Sequence, residues 1–179
     1  MKKLFLAASG LFSAIPGLTI IWKGIGTPPG YEFLFGGIIE AFGALALIIL
    51  LVNKTKLKRL TSRRATKFAI VLGTSCFISL VIYMLLFNLC VVVHPTHGTV
   101  YYPIWSGGHL TELIQRTGSR YAALDRYGSY PLTKAIQEMP GHPLPLIVTT
   151  ALLLLVYQAV FTTLATAFGI LGFHKGNSF

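Results

Sequence analysis

Four long apolar blocks constrain this chain more than any other feature of its sequence. Each holds at most one charged residue over roughly 20 positions, the length that an α-helix needs to cross a hydrocarbon core of about 30 Å. The blocks run over the following residues: Leu4 to Trp22, Leu34 to Val52, Phe68 to Val93 and Leu146 to Phe173. No sustained helical or strand period separates apolar from polar positions within them, which argues against amphipathic, water-facing elements. The blocks therefore predict membrane-spanning helices.

Composition agrees with this prediction. The chain is 54% hydrophobic and 11% charged, whereas charged residues make up about a quarter of a typical soluble domain. The predicted fold class is an all-α membrane protein with four transmembrane helices and a small extracytoplasmic cap between helices 3 and 4. The first three helices and a basic loop at 53–67 fill residues 1–93, the cap fills 94–145, and the fourth helix and a tail fill 146–179.

The first block has the charged head and apolar run of a secretory signal peptide. Its apolar run of about 19 residues is long enough to span a bilayer, so we expect a transmembrane helix instead. Pro16 lies inside it and should kink it, because proline removes a backbone donor. Glycines and prolines between Lys23 and Phe33 predict a tight loop to the second helix.

Basic residues predict the orientation. With both termini inside, ten of the 15 lysines and arginines lie on the inner side, and the positive-inside rule places that side in the cytoplasm. We expect the inner membrane of a bacterium. Seven of the ten lie in the loop at 53–67, which holds no acid: Lys54, Lys56, Lys58, Arg59, Arg63, Arg64 and Lys67.

This loop carries more charge than orientation requires. Two roles stay open beside orientation: binding of anionic lipid headgroups, and binding of a cytoplasmic protein partner. Direct binding of nucleic acid is not expected, because most of the excess charge lies in this one loop between apolar blocks.

The segment at 94–145 is the only sizeable polar stretch. Three helix-like runs, His109 to Thr117, Arg120 to Tyr127 and Leu132 to Met139, are separated by Gly-Ser breaks. A segment of this size buries too little apolar surface to be stable alone. We expect it to pack on the helix ends or on copies of itself, which favours a homo-oligomer.

Polar residues inside the spans are the first candidates for a functional site. Glu40 is the only acid in a span, and a charge there costs a few kcal/mol on insertion scales. Asn88 lies at a similar depth on the third helix, so a Glu40–Asn88 hydrogen bond is expected, with a pore, proton or ligand role as the alternative. Tyr157 and Gln158 near the middle of the fourth span are interpreted as residues that join helices.

Small residues four positions apart let helices approach closely. Five such pairs in its apolar blocks contain a glycine: Gly10 and Ala14, Ser13 and Gly17, Gly37 and Ala41, Ala69 and Gly73, Ala165 and Gly169. They predict close packing within one chain or between chains.

Histidines and aromatic residues follow the third block. His94 and His97, with His109 and His142 further on, suggest a zinc site. Pro95 discourages a helix that would align the first two rings, and no cysteine or set of carboxylates completes the ligands, so we predict no metal site. Tyr101, Tyr102 and Trp105 are interpreted as part of an aromatic belt at the headgroups, with a contact surface for an external ligand as the alternative. Cys76 and Cys90 are interpreted as small buried hydrophobes.

Motifs for nucleotide binding, zinc hydrolysis, thiol redox chemistry and serine hydrolysis are missing from the sequence. We therefore expect no cofactor and no enzymatic activity. The hypothesis is a homo-oligomeric membrane sensor or scaffold, open to forming a pore, whose cap meets a signal or ligand. A channel or transporter subunit is the alternative, and a membrane-embedded enzyme fits least. A role in defence or immunity rests on analogy of architecture alone.

Overall fold

The computed structural model describes residues 2–23 and 32–174. Within these ranges the chain forms eight helices and one two-stranded sheet. In chain order the elements are α1 Lys2–Lys23, α2 Glu32–Val52, α3 Lys54–Lys58, α4 Ser62–Cys90, β1 Val91–His94, β2 Gly98–Tyr101, α5 Gly108–Thr117, α6 Arg120–Tyr127, α7 Ser129–Gln137 and α8 Leu144–His174.

Four of these helices are long and apolar enough to cross a membrane. The candidate spans are Lys3–Trp22, Phe33–Val52, Ser62–Cys90 and Leu144–Phe173. The prediction of four such helices is confirmed. The loop predicted between Trp22 and Leu34 lies almost wholly outside the described residues. The third helix differs at both ends, since it begins inside the predicted basic loop and ends three residues before Val93.

A β-hairpin follows α4 directly, where the sequence suggested the end of a helix. β1 pairs with β2 in antiparallel register, with His94 opposite Gly98. Three consecutive valines open this segment, and β-branched side chains fit a pleated strand better than a helix. Gly98 closes the turn at a φ of +75°, a left-handed conformation that glycine adopts without a steric penalty.

The chain divides into two compact units. The first, called the bundle here, comprises Met1–Tyr83 and Leu154–Phe179; the second, called the small unit, comprises Met84–Leu153. Helices α4 and α8 contribute residues to both.

Two apolar clusters organise the bundle. One contains the end of α1 and the start of α2: Ile20, Ile39, Leu154 and Tyr157, with Phe35, Tyr83 and Phe161 against them. The other contains the end of α2 and the start of α4: Leu50, Ala65, Ile170 and Phe173, with Leu6, Leu47, Leu57 and Leu72 against them. All four long helices contribute to each cluster. The first cluster also holds the later part of α4 and the earlier part of α8, and the second holds the start of α4 and the end of α8. Helices that follow one another in the bundle therefore run in opposite directions. Leu57 of α3 places the basic segment beside the start of α1.

Helices α1 and α2 approach closely at glycines. A Cβ built at Gly36 would lie 2.4 Å from Cγ1 of Ile21, and one built at Gly43 would lie 2.3 Å from the carbonyl oxygen of Ser13. Only hydrogen fits at these positions, so the glycines fix the antiparallel register of the pair.

The small unit has an apolar core of its own, made by the hairpin and the helices α5 to α7. Its buried members are Val92, Val100, Tyr102, Leu110, Leu113, Ala123, Leu124, Leu132, Ala135, Ile136 and Met139. Gly118, at a φ of +80°, ends α5, and the Ser119 hydroxyl caps α6 by accepting a hydrogen bond of 3.0 Å from the backbone N–H of Ala122. The Gly-Ser pair therefore separates the two helices as its residue types predict. The third short helix begins three residues before, and ends two residues before, the predicted run.

Candidate functional site

Tyr157 joins two helices inside the bundle. Its hydroxyl bonds Thr19 Oγ1 of α1, and the Thr19 hydroxyl lies 3.0 Å from the carbonyl oxygens of Ile15 and Pro16. Because threonine has one hydroxyl proton and donates it to a carbonyl, Tyr157 is the donor in the bond between the two side chains. The rings of Tyr83 and Phe161 flank Tyr157 at 5.3 and 5.0 Å between centroids.

Gln158 is bonded differently from its neighbour. Its amide nitrogen donates 3.1 Å to Thr162 Oγ1, one turn along the same helix. The amide oxygen is buried and has no hydrogen-bond partner among the residues that the structure describes. Within the described residues, the Gln158 amide therefore lacks the partner on another helix that we expected for it.

Glu40 lies in the contact between α1 and α2, where its side chain packs on the bare α-carbon of Gly17. It is half-buried in the bundle. Asn88 belongs to the small unit, so the hydrogen bond predicted between the two residues stays a prediction.

The predicted basic loop is largely helical. The short helix α3 carries Lys54, Lys56 and Lys58, and Arg63, Arg64 and Lys67 lie in the first turns of α4. Lys58 is half-buried, while the other six basic residues of the set, Arg59 included, are exposed. Leu57 faces the apolar cluster at this end of the bundle. Leu57 thus holds the short helix that carries Lys54, Lys56 and Lys58 against the bundle.

The hairpin turn brings together His94 and His97, at which the sequence predicted no metal site. The rings of His94 and His97 stack at 4.8 Å between centroids. Asp125 of α6 completes a group of three, with Oδ1 at 3.1 Å from Nε2 of His94. Pro95 does prevent a helix here, but the strand pairing aligns the rings by another route. His109 is bound elsewhere, with Nδ1 at 3.6 Å from Oε2 of Glu112.

His94 is held on both sides of its ring. The backbone N–H of Thr96 donates to Nδ1 over 3.3 Å, and the Thr96 hydroxyl lies 3.0 Å from the same atom. An Nδ1 that accepts leaves the ring proton on Nε2, which donates to Asp125. Tyr121, one turn before Asp125 on α6, lies against the ring at 5.4 Å between centroids.

Arg120 fastens the start of α6 to the segments around it. Its guanidinium donates to the carbonyl oxygens of Leu89 and, over 3.1 Å, Pro103. It also lies 5.3 Å from the centroid of the Tyr102 ring, a cation–π distance. The sequence analysis did not predict the contact between Arg120 and Leu89, because the two residues are 31 positions apart in the chain.

Tyr102 is fully buried in the core of the small unit, although its position after a span suggested an exposed aromatic belt. Its hydroxyl donates 3.1 Å to the carbonyl oxygen of Arg120. Burial raises the pKa of the Tyr102 phenol to about 12, and the nearby charge of Arg120 opposes that rise only in part.

No protein-family model, curated protein or solved structure matches this chain.

Proposed function

We propose that this chain is a non-enzymatic, homo-oligomeric membrane sensor or scaffold of a bacterial inner membrane. The small unit is its extracytoplasmic cap, and both termini and the basic segment at 53–67 face the cytoplasm. One observation carries the proposal: an apolar core of its own makes the small unit a folded body, and in the sequence it lies between the apolar parts of α4 and α8. A folded body on membrane helices provides a surface for a ligand without any constellation of catalytic groups.

The surface of α4 supports the membrane location. No residue in its most apolar 18-residue stretch is buried within the described structure, and large apolar side chains such as Phe68, Phe77 and Leu85 are exposed. Exposed apolar area of this extent is unfavourable in water. Lipid tails or neighbouring apolar helices would cover it.

Small residues on the outer faces support assembly. Two of the five small pairs are used within the chain, because Gly17 meets Glu40 and Gly169 meets Leu50. Gly10, Gly37 and Gly73 belong to the other pairs, and a Cβ at any of them would meet nothing within 4 Å. These faces remain open to helices of a second copy.

The basic segment supports a cytoplasmic contact. Leu57 lies between Lys56 and Lys58 in α3 and packs against the bundle, so these lysines are held near the end of the apolar helices. Each lysine or arginine close to an anionic surface contributes about 1 kcal/mol of attraction. Anionic lipid headgroups or an acidic protein would match this charge.

The channel alternative draws on Glu40. A half-buried carboxylate inside an apolar span costs free energy of insertion, and residues of this kind are candidates for a functional role. The alternative requires Glu40 to face an aqueous path in the oligomer. Ion flux separates this alternative from the sensor.

The experiment compares the wild-type protein with a variant in which Lys56, Lys58 and Arg59 are replaced by glutamine. Both are extracted from native membranes in mild detergent, and the retained lipids and proteins are identified by mass spectrometry. We expect the wild type to retain anionic lipid or a specific protein, and the variant to lose most of it. A matched variant, Arg116→Gln with Lys134→Gln, neutralises charge in the small unit and should retain both.

Flux of small ions is measured for the same wild-type protein in liposomes. The sensor proposal expects flux no higher than in protein-free liposomes. Flux through the wild type, together with equal retention by all three proteins, would overturn the proposal in favour of the channel.

A further inference from the structure

We propose that His94, His97 and Asp125 form a binding site for a divalent transition metal, of which Zn²⁺ is the representative. The site requires only the fold of the small unit, so it stands or falls apart from the sensor role. Two imidazole nitrogens and a carboxylate oxygen are a donor set that zinc, copper, nickel and iron favour, and that hard cations such as Mg²⁺ do not.

The distances fit coordination after small movements. In a tetrahedral site with bonds of about 2.0 Å, donor atoms lie about 3.3 Å apart. His94 Nε2 and Asp125 Oδ1 are already 3.1 Å apart, and no two of the three donor atoms are more than 4.8 Å apart. His97 belongs to a three-residue turn, and the Asp125 side chain is 65% exposed, so both can rotate toward a shared ion.

Burial makes His94 the fixed ligand. Its side chain is only 9% exposed, and Tyr121 and His97 lie against its ring. The two other ligands reach solvent more readily. An ion would therefore arrive from the side of Asp125 and His97, and one or more waters would complete its coordination, as in zinc sites with three protein ligands.

Thr96 provides the support that a metal-bound histidine needs. Binding at Nε2 displaces the proton that now points to Asp125, so the neutral ring must carry its proton on Nδ1 instead. The Thr96 hydroxyl, 3.0 Å from Nδ1, can accept a hydrogen bond from that N–H, while the present bond from the Thr96 backbone N–H to Nδ1 is lost. Such outer partners orient ligating histidines and fix their tautomer.

The test is a calorimetric titration of the full-length protein in detergent with Zn²⁺ alone. We expect one ion per chain, with affinity at least about tenfold weaker in His97→Ala and in Asp125→Asn, because each removes or weakens one ligand. In Asp125→Asn the side-chain amide oxygen still accepts a hydrogen bond from His94, so this variant preserves the fold, which circular dichroism verifies. His109→Ala is the matched control: it removes an exposed histidine of the same unit that also pairs with a carboxylate, and its affinity should equal that of the wild type.

Two further measurements sharpen the result. Thr96→Val should weaken Zn²⁺ binding without changing the stoichiometry, and excess Mg²⁺ should not displace the bound zinc. Absence of saturable Zn²⁺ binding, or equal affinity in the wild type, His97→Ala and Asp125→Asn, would refute the site and leave the His94–Asp125 contact as a hydrogen bond only.

Discussion

The side chain of Glu40 occupies the space that any side chain at Gly17 would need. A Cβ built at Gly17 would lie 1.9 Å from Cγ of Glu40 and 2.8 Å from its Oε1. The one acidic residue of the apolar spans thus sits on a bare α-carbon of α1, one position after Pro16. The register of α1 and α2 and the place of this carboxylate depend on each other.

Gly17→Ala is expected to destabilise the bundle by about 1–3 kcal/mol, the usual cost of overpacking. Gly10→Ala is the control for packing within one chain, because a Cβ there meets nothing within 4 Å of that chain, and both variants are compared at a detergent excess that separates the copies. Thermal unfolding in detergent measures both variants. The double variant Gly17→Ala, Glu40→Ala should recover part of the loss, and equal melting of Gly17→Ala and Gly10→Ala would contradict the close contact.

Replacement of Glu40 separates structural from ionic roles. Glu40→Gln keeps the size of the side chain and its packing on Gly17 but cannot ionise. We expect unchanged oligomer melting and unchanged flux in liposomes, whereas Glu40→Ala should melt earlier because it empties the space over Gly17. If the wild type conducts ions and Glu40→Gln abolishes conduction with normal melting, Glu40 belongs to a pore.

Tyr102 predicts a specific alkaline response of the small unit. Its pKa is raised from 10.0 to about 12 in the folded protein, so the unfolded state loses this proton first as pH rises. The contribution to stability is therefore complete below pH 10 and is lost between pH 10 and about 12. Tyr102→Phe should remove one tyrosine from the late part of the tyrosinate absorbance titration.

The same substitution removes the hydrogen bond to the Arg120 carbonyl, at a cost of about 1 kcal/mol. Tyr130→Phe is the control, since Tyr130 is 79% exposed. A titration in which both variants lose the same step would show that Tyr102 is not protected.

Topology is tested by single cysteines at two exposed threonines. Thr55 lies in α3 and Thr133 in α7. In a protein with Cys76 and Cys90 replaced by alanine, an impermeant thiol reagent should label Thr55→Cys from the cytoplasmic side and Thr133→Cys from the other side. Labelling of both from one side of intact cells would contradict the four-span arrangement.

The sequence predicts the long helices well because hydrocarbon imposes a length and excludes charge, and both can be counted along the chain. The short helices of the small unit follow from glycines at 118 and 128 and from the serine cap at 119. The hairpin was missed because Val91 to Val93 continue the apolar character of α4, and hydropathy does not distinguish a strand from a helix. A run of valine beside Pro95 was the signal that could have revealed it.

The group of His94, His97 and Asp125 could not be predicted from the spacing of residues along the sequence. His94 and Asp125 are 31 residues apart, and only the packing of α6 on the hairpin brings them together. The contact of Arg120 with Leu89 has the same origin. The local sequence pattern indicated the histidines, whereas the carboxylate that contacts them, that of Asp125, is determined by the tertiary structure.

The join between α4 and the hairpin has a geometric consequence. Val91 begins β1 directly after Cys90 ends α4, so no slack residue separates the helix from the strand. His94 ends that four-residue strand, and the strand is clamped on its far side by β2. The backbone therefore passes from the helix into the strand that carries His94 without an intervening loop, so the position of this imidazole depends on where α4 ends.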